Sequence, residues 1–451
     1  MTPDWIDRVL LAGPGDEVCL SFAGPVRRSA LRSAVADRHA ALADAGLRPG
    51  GTVALRLPPS PAFVECLLAA WRLGARVLLL DHRLTPHEVS GALARLEPQL
   101  LIEPDVEPEG ALRGFHDVTP VISARAGRPA GSEHALVQLS SGSTGPSKVI
   151  GRTAAELVAE IARYAAIDGM PGRGERIVVL NSLAHTFGLV GALLHGLHVG
   201  ARVAVPARMT VDGILDTLAE GADPTTLFCV PFHLELLARV PAPPALPLVR
   251  AVTGGELLRP GLAEAFTAAY GVPLGGCYGM TELGVIAMDT SGTGRPSVGP
   301  PAPGVEVRVV DGELLVRSPA SPYLGPADPT RWADGWLRTR DAATFEDGRV
   351  TILGRLDSQV SVGGLKVDLS EVEHTVAGLP GVTEAVVVHD RGIEAFVALA
   401  GGVPAADVER DLAGLLAPFK RPRRVHVVAA LPRTSSGKRS RDLALLRAAV
   451  R

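Results

Sequence analysis

The chain has 451 residues, 47% of them apolar, a mean hydropathy of +0.23 and a formal net charge of −3. That length exceeds one ordinary hydrophobic core, so two or three domains are expected, and the near-neutral charge gives no electrostatic footprint for nucleic acid or an anionic membrane. Cys19, Cys66, Cys229 and Cys277 are scattered with no C-x-x-C pair, the opening MTPDWIDRVL lacks the apolar core of a signal peptide, and no apolar run reaches the roughly 18 residues of a membrane span, so the expectation is a cytoplasmic enzyme without a disulfide framework or zinc site.

In chain order, Ala30 to Ala45 is apolar at helical spacing and stops at Gly46, Thr52 to Leu57 reads as a strand, and Pro61 to Leu73 reads as a helix. Ala75 to Leu80 is a second strand and Pro86 to Leu96 a third helix. Further on come a helix near Ala154–Ala166 and strands at Ile177–Leu180, Val203–Val205, Thr226–Val230 and Leu248–Val252. Such alternation predicts α/β folding around largely parallel sheets. From about Val298 the texture changes to short strands and turns, a small β-rich subdomain, and a short α/β segment from about Val367 to Arg451 closes the chain.

Between the strands and helices lies LVQLSSGSTGPSKVI, Leu136 to Ile150. The apolar run Leu136, Val137 and Leu139 reads as a buried strand end. Ser140, Ser141, Gly142, Ser143, Thr144, Gly145 and Lys148 follow it. Glycines let backbone N–H groups turn inward, hydroxyls add donors and lysine adds a point charge, which together suit a polyphosphate. The Gly-Lys-Ser/Thr ending of a Walker loop is missing, which disfavours a phosphate-loop ATPase. The chain holds only four lysines, Lys148, Lys366, Lys420 and Lys438, among 45 basic residues. A lysine kept in so arginine-rich a background suggests a site where a compact ammonium cannot be replaced by a guanidinium. Lys148, Lys366 and Lys438 each lie in a motif-like stretch.

With these stretches in order, the chain resembles the adenylate-forming superfamily of acyl-CoA synthetases, peptide-synthetase adenylation domains and luciferases. SSGSTGPSK resembles its phosphate loop, CYGMTE (Cys277 to Glu282) its aromatic-Gly-x-Thr-Glu signature, and WLRTRD its Thr-Gly-Asp motif, with Arg340 where glycine is usual. GRLDSQVSVGGLKVDLSEVE (Gly354 to Glu373) resembles the hinge, and LPRTSSGKRSR the C-terminal motif that carries a catalytic lysine. The resemblance spans nearly the whole chain, although relatives usually have more residues before the phosphate loop. It implies a large N-terminal domain, 1–356, of two α/β subdomains plus the β-rich subdomain, and a small mobile α+β lid domain, 357–451.

The same resemblance implies ATP and Mg²⁺ as cofactors and assigns roles residue by residue. Ser140 to Lys148 would hold the β- and γ-phosphates, and Thr281 would donate to the α-phosphate. Glu282 would bind Mg²⁺, a hard ion that takes oxygen ligands. Tyr278 would lie against adenine, with Gly254, Gly255, Glu256, Gly279 and Met280 completing the nucleotide site. Asp341 would accept both ribose hydroxyls and Arg355 would reach ribose or phosphate. Lys438 would reach the bridging and phosphate oxygens during adenylation. Asp357 would be the pivot, and Gly363, Gly364 and Lys366 would line the path of the incoming thiol. For the two glycines a plain β-turn is the alternative reading. Ser361 departs from the lysine many relatives carry, which leaves the second-step contacts open.

In the acid pocket, Ala184-His185-Thr186-Phe187 has no carboxylate to pair with an ammonium, which argues against an α-amino acid. His185 to Gly188 resembles the His-x-x-Gly stretch of acyl- and aryl-acid ligases, with His185 as gate or pocket wall, or else as a hydrogen-bonded structural histidine. Phe187, Val230, Phe232, Thr253, Gly276 and Cys277 are the other expected pocket positions. Gly254, Gly255 and Gly276 carry no side chains, leaving room for a flat or branched acid. The implied reaction makes acyl-AMP from a small aryl or acyl carboxylic acid and passes the acyl group to coenzyme A. The phosphopantetheine of an acyl carrier protein, or an amine, are alternative acceptors. A non-catalytic adenylate-binding regulatory protein is the alternative of another class.

Overall fold

The computed structural model describes residues 4–110, 112–140, 148–241, 246–258, 261–325, 328–356, 358–400, 404–432 and 439–450. By contact the chain divides into one unit of Met1–His82, Glu97–Gln138 and Val149–Gly354, and a second of Arg83–Leu96, Leu139–Lys148 and Arg355–Arg451. The expected pivot Asp357, the loop residues Ser141, Gly142, Ser143, Thr144 and Gly145, and Lys438 lie outside the described residues.

The first unit is built on three sheets. In the largest, eight strands lie in the order Gly284–Asp289, Leu274–Met280, Leu248–Gly254, Thr225–Cys229, Arg176–Val179, Arg202–Ala204, Val18–Ser21 and Pro25–Arg27. The six inner strands run parallel and each edge strand is antiparallel. The central parallel strands Arg176–Val179 and Thr225–Cys229 are buried at every position, as strands covered on both faces are. A six-stranded sheet has the order Pro120–Ala124, Leu100–Pro104, Thr52–Leu55, Arg76–Leu79, His134–Ser140 and Lys148–Thr153, with parallel pairing from Leu100–Pro104 to His134–Ser140. Val307–Val310, Glu313–Arg317, Trp332–Ala333, Trp336–Glu346 and Arg349–Arg355 form the expected β-rich sheet.

Helices begin where the sequence supplies caps. The Ser60 hydroxyl accepts from Phe63 N at 3.0 Å and Pro61 fills the first turn of Pro61–Arg72, which is buried along most of its length. Thr153 and Glu156 make a reciprocal capping box on Ala154–Ala165, whose inward stripe is Leu157, Glu160, Ile161 and Tyr164. The second unit contains a three-stranded sheet, Val382–His389, Ile393–Leu399 and Arg424–Val428, packed with Leu369–Ala377 and Ala405–Leu415 around Val372, Val376, Val387 and Val397. Lys420, the lysine without a motif, is buried there with its Nζ 2.9 Å from both Glu88 and Glu371.

The α/β architecture thus matches the expectation from alternating strand and helix patterns, with boundaries moved by one or two residues. Val18–Ser21, Pro25–Arg27, Leu100–Pro104 and Pro120–Ala124 are additional strands. They are short, and Pro25–Arg27 and Pro120–Ala124 lie at sheet edges, where one side of the strand needs no partner and the apolar pattern is weak.

Candidate active site

Parallel strands deliver their C-terminal ends to one side of the large sheet. Thr253 pairs with Gly276 and Gly254 with Cys277, which sets two expected pocket segments side by side. Val230, directly after Thr225–Cys229, and Thr253 are buried, whereas Phe232 is exposed. The Phe187 ring packs against Phe228 with centroids 5.3 Å apart. Burial pushes the Cys277 thiol up to about 12, so it stays neutral and serves as a small apolar wall rather than a nucleophile.

The three pocket glycines have different physical reasons. A Cβ on Gly254 would stand 2.7 Å from the Cys277 carbonyl oxygen, so strand packing demands glycine there. Gly255 has φ +91°, a backbone conformation that favours glycine. At Gly276 the nearest atom to an added Cβ is Val298 Cα at 3.6 Å, an ordinary contact. Backbone packing and conformation thus account for Gly254 and Gly255, whereas a Cβ at Gly276 would make only ordinary contact with Val298. Gly188 is likewise fixed by close approach, with Ser182 O 2.4 Å from a built Cβ.

The segment before Phe187 is held from two sides. Gln138, buried near the end of His134–Ser140, donates from Nε2 to Ala184 O at 2.7 Å and accepts from the Thr186 hydroxyl at 3.4 Å. His185 Nε2 lies 3.4 Å from Asp81 Oδ2. Phe187–Leu194 then forms a π-helix, a widened turn that sequence periodicity does not reveal.

The signature residues gather around two tyrosines. The Tyr278 hydroxyl donates to Asp341 Oδ2 at 2.6 Å, and the Tyr323 hydroxyl donates to Glu282 Oε1 at 3.0 Å. Glu282 and Asp341 are both buried. Burial raises the Tyr323 phenol, with the Glu282 charge adding to it, so Tyr323 remains a donor. Asp341 N is fixed by the Thr339 hydroxyl at 3.0 Å. Arg340 has φ +63°, the conformation that glycine takes most easily, and it is held there by N to Glu313 Oε1 at 2.9 Å and Nη2 to Thr330 O at 2.8 Å. Gly279 and Met280 end the strand Leu274–Met280 and Thr281 opens the turn after it; a Cβ on Gly279 would meet Gly284 O at 2.6 Å.

Sequence reasoning missed Glu160. This carboxylate accepts from Val285 N at 3.2 Å and from Arg152 Nη2 at 2.9 Å, anchoring the strand that follows Glu282 to the strand that begins at Lys148. Burial raises its pKa, against the Arg152 charge. The available signal was an acid on an otherwise apolar helix stripe. Glu256 is half-buried, just past the end of Leu248–Gly254.

In the second unit, Gly363 and Gly364 have φ +56° and +81° and join Gln359–Val362 to Leu365–Asp368 as a two-residue hairpin. Both positive φ values explain the glycine pair as a primed turn. Lys366 faces Ser361 across this hairpin, and Arg355 ends Arg349–Arg355.

A family profile described as "AMP-binding enzyme" matches residues 29–321, and one described as "AMP-binding enzyme C-terminal domain" matches 371–438. The p-hydroxybenzoic acid–AMP ligase FadD22 of Mycobacterium marinum is 28% identical, covering 99% of this chain and 68% of the relative. The 2-hydroxy-7-methoxy-5-methyl-1-naphthoate–CoA ligase of Streptomyces carzinostaticus is 29% identical over 94% of this chain and 89% of its own. The solved structure of amide bond synthetase McbA from Marinactinospora thermotolerans superposes with a TM-score of 0.81 at 26% identity, covering 98% of this chain and 99% of that one.

Proposed function

The chain belongs to the AMP-binding enzyme family, and from that premise we propose that it is a ligase for a small aryl or acyl carboxylic acid. ATP and the acid give acyl-AMP and pyrophosphate, and the thiol of coenzyme A then takes the acyl group and releases AMP. The observation that carries the reading is the pair of buried carboxylates, Glu282 and Asp341, each held by a tyrosine hydroxyl beside the end of Leu274–Met280. Separated acceptors of this kind suit a nucleotide and its cation.

Bringing a carboxylate to the α-phosphate sets two anions against each other, so catalysis requires charge neutralisation and alignment. Asp341 would hold the ribose, its carboxylate oriented by the Tyr278 hydroxyl and its backbone N–H held by Thr339. Thr281 would donate to the α-phosphate, while Ser140 to Lys148 and Lys438 would meet the phosphate oxygens. Glu282 suits Mg²⁺, a hard ion that commonly takes one or two carboxylates plus substrate phosphates. When bound, the ion would offset charge on the phosphates. Asp357 as pivot and Gly363, Gly364 and Lys366 as thiol path belong to the same proposal, as does the 1–356 and 357–451 division.

The acid class rests on His185, Phe187 and Cys277, which offer no carboxylate for an ammonium, and on aryl acids named for the two ligase relatives. Coenzyme A follows the named naphthoate ligase. An amine acceptor is the second reading, favoured by the likeness to an amide bond synthetase; a carrier-protein phosphopantetheine is a third. No helix among the described residues is long and apolar enough to cross a membrane, and we place the enzyme in the cytoplasm.

The test is acid-dependent pyrophosphate release with ATP and Mg²⁺ across aryl, short acyl and amino acids, trapped with hydroxylamine. Lys438→Ala serves as control. The expected result is release with one non-amino acid class that the variant lacks, followed by thioester formation when coenzyme A is added. Amide or carrier-bound product instead would reassign the acceptor. ATP binding with no release for any acid would favour a non-catalytic adenylate-binding protein.

A further inference from the structure

We propose that Asp81 is a positioning residue for His185: its carboxylate holds the imidazole as the Nε2–H tautomer, leaving the Nδ1 lone pair on the open edge of the ring. The chemical consequence, which rests on the reading above that His185 borders the acid site, is a preference for an aryl acid bearing a hydroxyl or N–H donor.

Asp81 follows the strand Arg76–Leu79 by two residues and is buried. Asp81 Oδ2 lies 3.4 Å from His185 Nε2, and Oδ1 lies 3.7 Å from His82 Nδ1. The His82 ring in turn meets His116 edge-on, with centroids 6.2 Å apart. His185 Nε2 is buried and has no hydrogen-bond partner among the described residues, its 3.4 Å approach to Asp81 being an ion-pair contact, whereas 43% of the side chain is exposed. A carboxylate only accepts, so the nitrogen facing it must carry the proton. At 3.4 Å the contact is long, and such contacts commonly close when ligand fills a site. The neutral ring has one donor nitrogen and one acceptor, so fixing the proton on Nε2 makes Nδ1 the acceptor. An acid with a ring hydroxyl can satisfy that lone pair. An unsubstituted ring leaves it unpaired once water is excluded, and leaving a buried acceptor unsatisfied is what rejects a substrate lacking the donor.

The experiment uses the full chain labelled with ¹⁵N. Long-range ¹H–¹⁵N spectra report each histidine tautomer, and His185 is assigned by the signal lost in His185→Gln. The wild-type protein is expected to show Nε2–H at His185. In Asp81→Asn the side-chain amide can donate to Nε2 and drive the proton to Nδ1, as in other carboxylate-to-amide changes beside imidazole. A wild-type Nδ1–H tautomer, or no change in Asp81→Asn, overturns the proposal, and neither readout needs turnover. In pyrophosphate release, Asp81→Asn is expected to lower kcat/KM for a hydroxybenzoate at least tenfold more than for benzoate. In the His185→Gln background the same substitution is expected to lose that difference. Equal loss for both acids would make Asp81 merely structural. No release by the wild-type enzyme with any acid would instead sink the ligase reading, while the tautomer would still be decided by the spectra.

Discussion

Tyr278 and Asp341, on the strands Leu274–Met280 and Trp336–Glu346, are joined by a 2.6 Å hydrogen bond from the phenol to Oδ2. One short donor orients both the ring expected near adenine and the carboxylate expected at ribose. Phenylalanine at 278 keeps the ring and removes the donor. A hydrogen bond to a charged group is worth about 1.5–3 kcal/mol, so Tyr278→Phe is expected to raise KM for ATP about tenfold or more, with a smaller effect on kcat. An unchanged KM would separate Asp341 from the nucleotide.

Glu282 offers a complementary test. Glutamine keeps an oxygen for the Tyr323 hydroxyl, which now bonds Oε1 at 3.0 Å, but it loses the charge that suits Mg²⁺. Glu282→Gln is expected to shift the Mg²⁺ concentration for half-maximal activity upward at least tenfold while the urea midpoint moves little. Tyr323→Phe, which leaves the charge in place, is expected to shift it less. Equal Mg²⁺ dependence in wild type and Glu282→Gln would remove Glu282 from the metal role.

Glycine substitutions separate fold from pocket. Alanine at 254 would press its Cβ to 2.7 Å from the Cys277 carbonyl oxygen, against backbone that cannot swing aside. Overpacking of this kind costs roughly 1–3 kcal/mol. Alanine at 276 meets nothing nearer than 3.6 Å and is expected to leave stability within about 1 kcal/mol. If Gly276 gives room to the acid, Gly276→Ala raises KM for the acid and leaves KM for ATP unchanged. Thermal unfolding of both variants and acid-dependent kinetics of Gly276→Ala check the contrast.

The motifs and strand ends were legible because each rests on local chemistry. An apolar run leads into Ser140, two glycines make a primed hairpin at 363–364, and the glycine usual at position 340 matches a φ of +63° that arginine here occupies with help from Glu313 and Thr330. Asp81, Gln138 and Glu160 were not legible. Their partners His185, Ala184 and Val285 come from distant parts of the chain and meet only after the two sheets form. Glu160 left a trace as a carboxylate on a buried stripe, whereas Asp81 after an apolar strand looks like any turn residue. Lys420 shows the same limit: its retention among arginines was visible, its clamp by Glu88 and Glu371 was not.

Two histidines predict how stability depends on pH. Burial lowers both His195 and His233 to about 4 from an ordinary 6.5. His195 donates from Nε2 to Pro171 O at 3.0 Å, and its buried Nδ1 has no acceptor for a second proton among the described residues. His233 Nδ1 accepts from Val230 N at 3.3 Å and would lose that bond on protonation. At these two positions the unfolded chain therefore binds more protons between pH 6.5 and 4, so their contribution to stability is full above 6.5 and falls as the pH drops through this window. The full shift corresponds to about 3 kcal/mol for each histidine. Asp289 and Glu394 are held below their ordinary values by hydrogen bonds and charge from Ser291 and Arg349, and from His426 and Arg447, which outweigh burial, so their losses belong to more acidic solution. Urea unfolding at pH 7, 6 and 5 is expected to show a declining midpoint, and His195→Gln is expected to reduce the slope. An identical slope in that variant would show that His195 does not remain neutral in the folded chain.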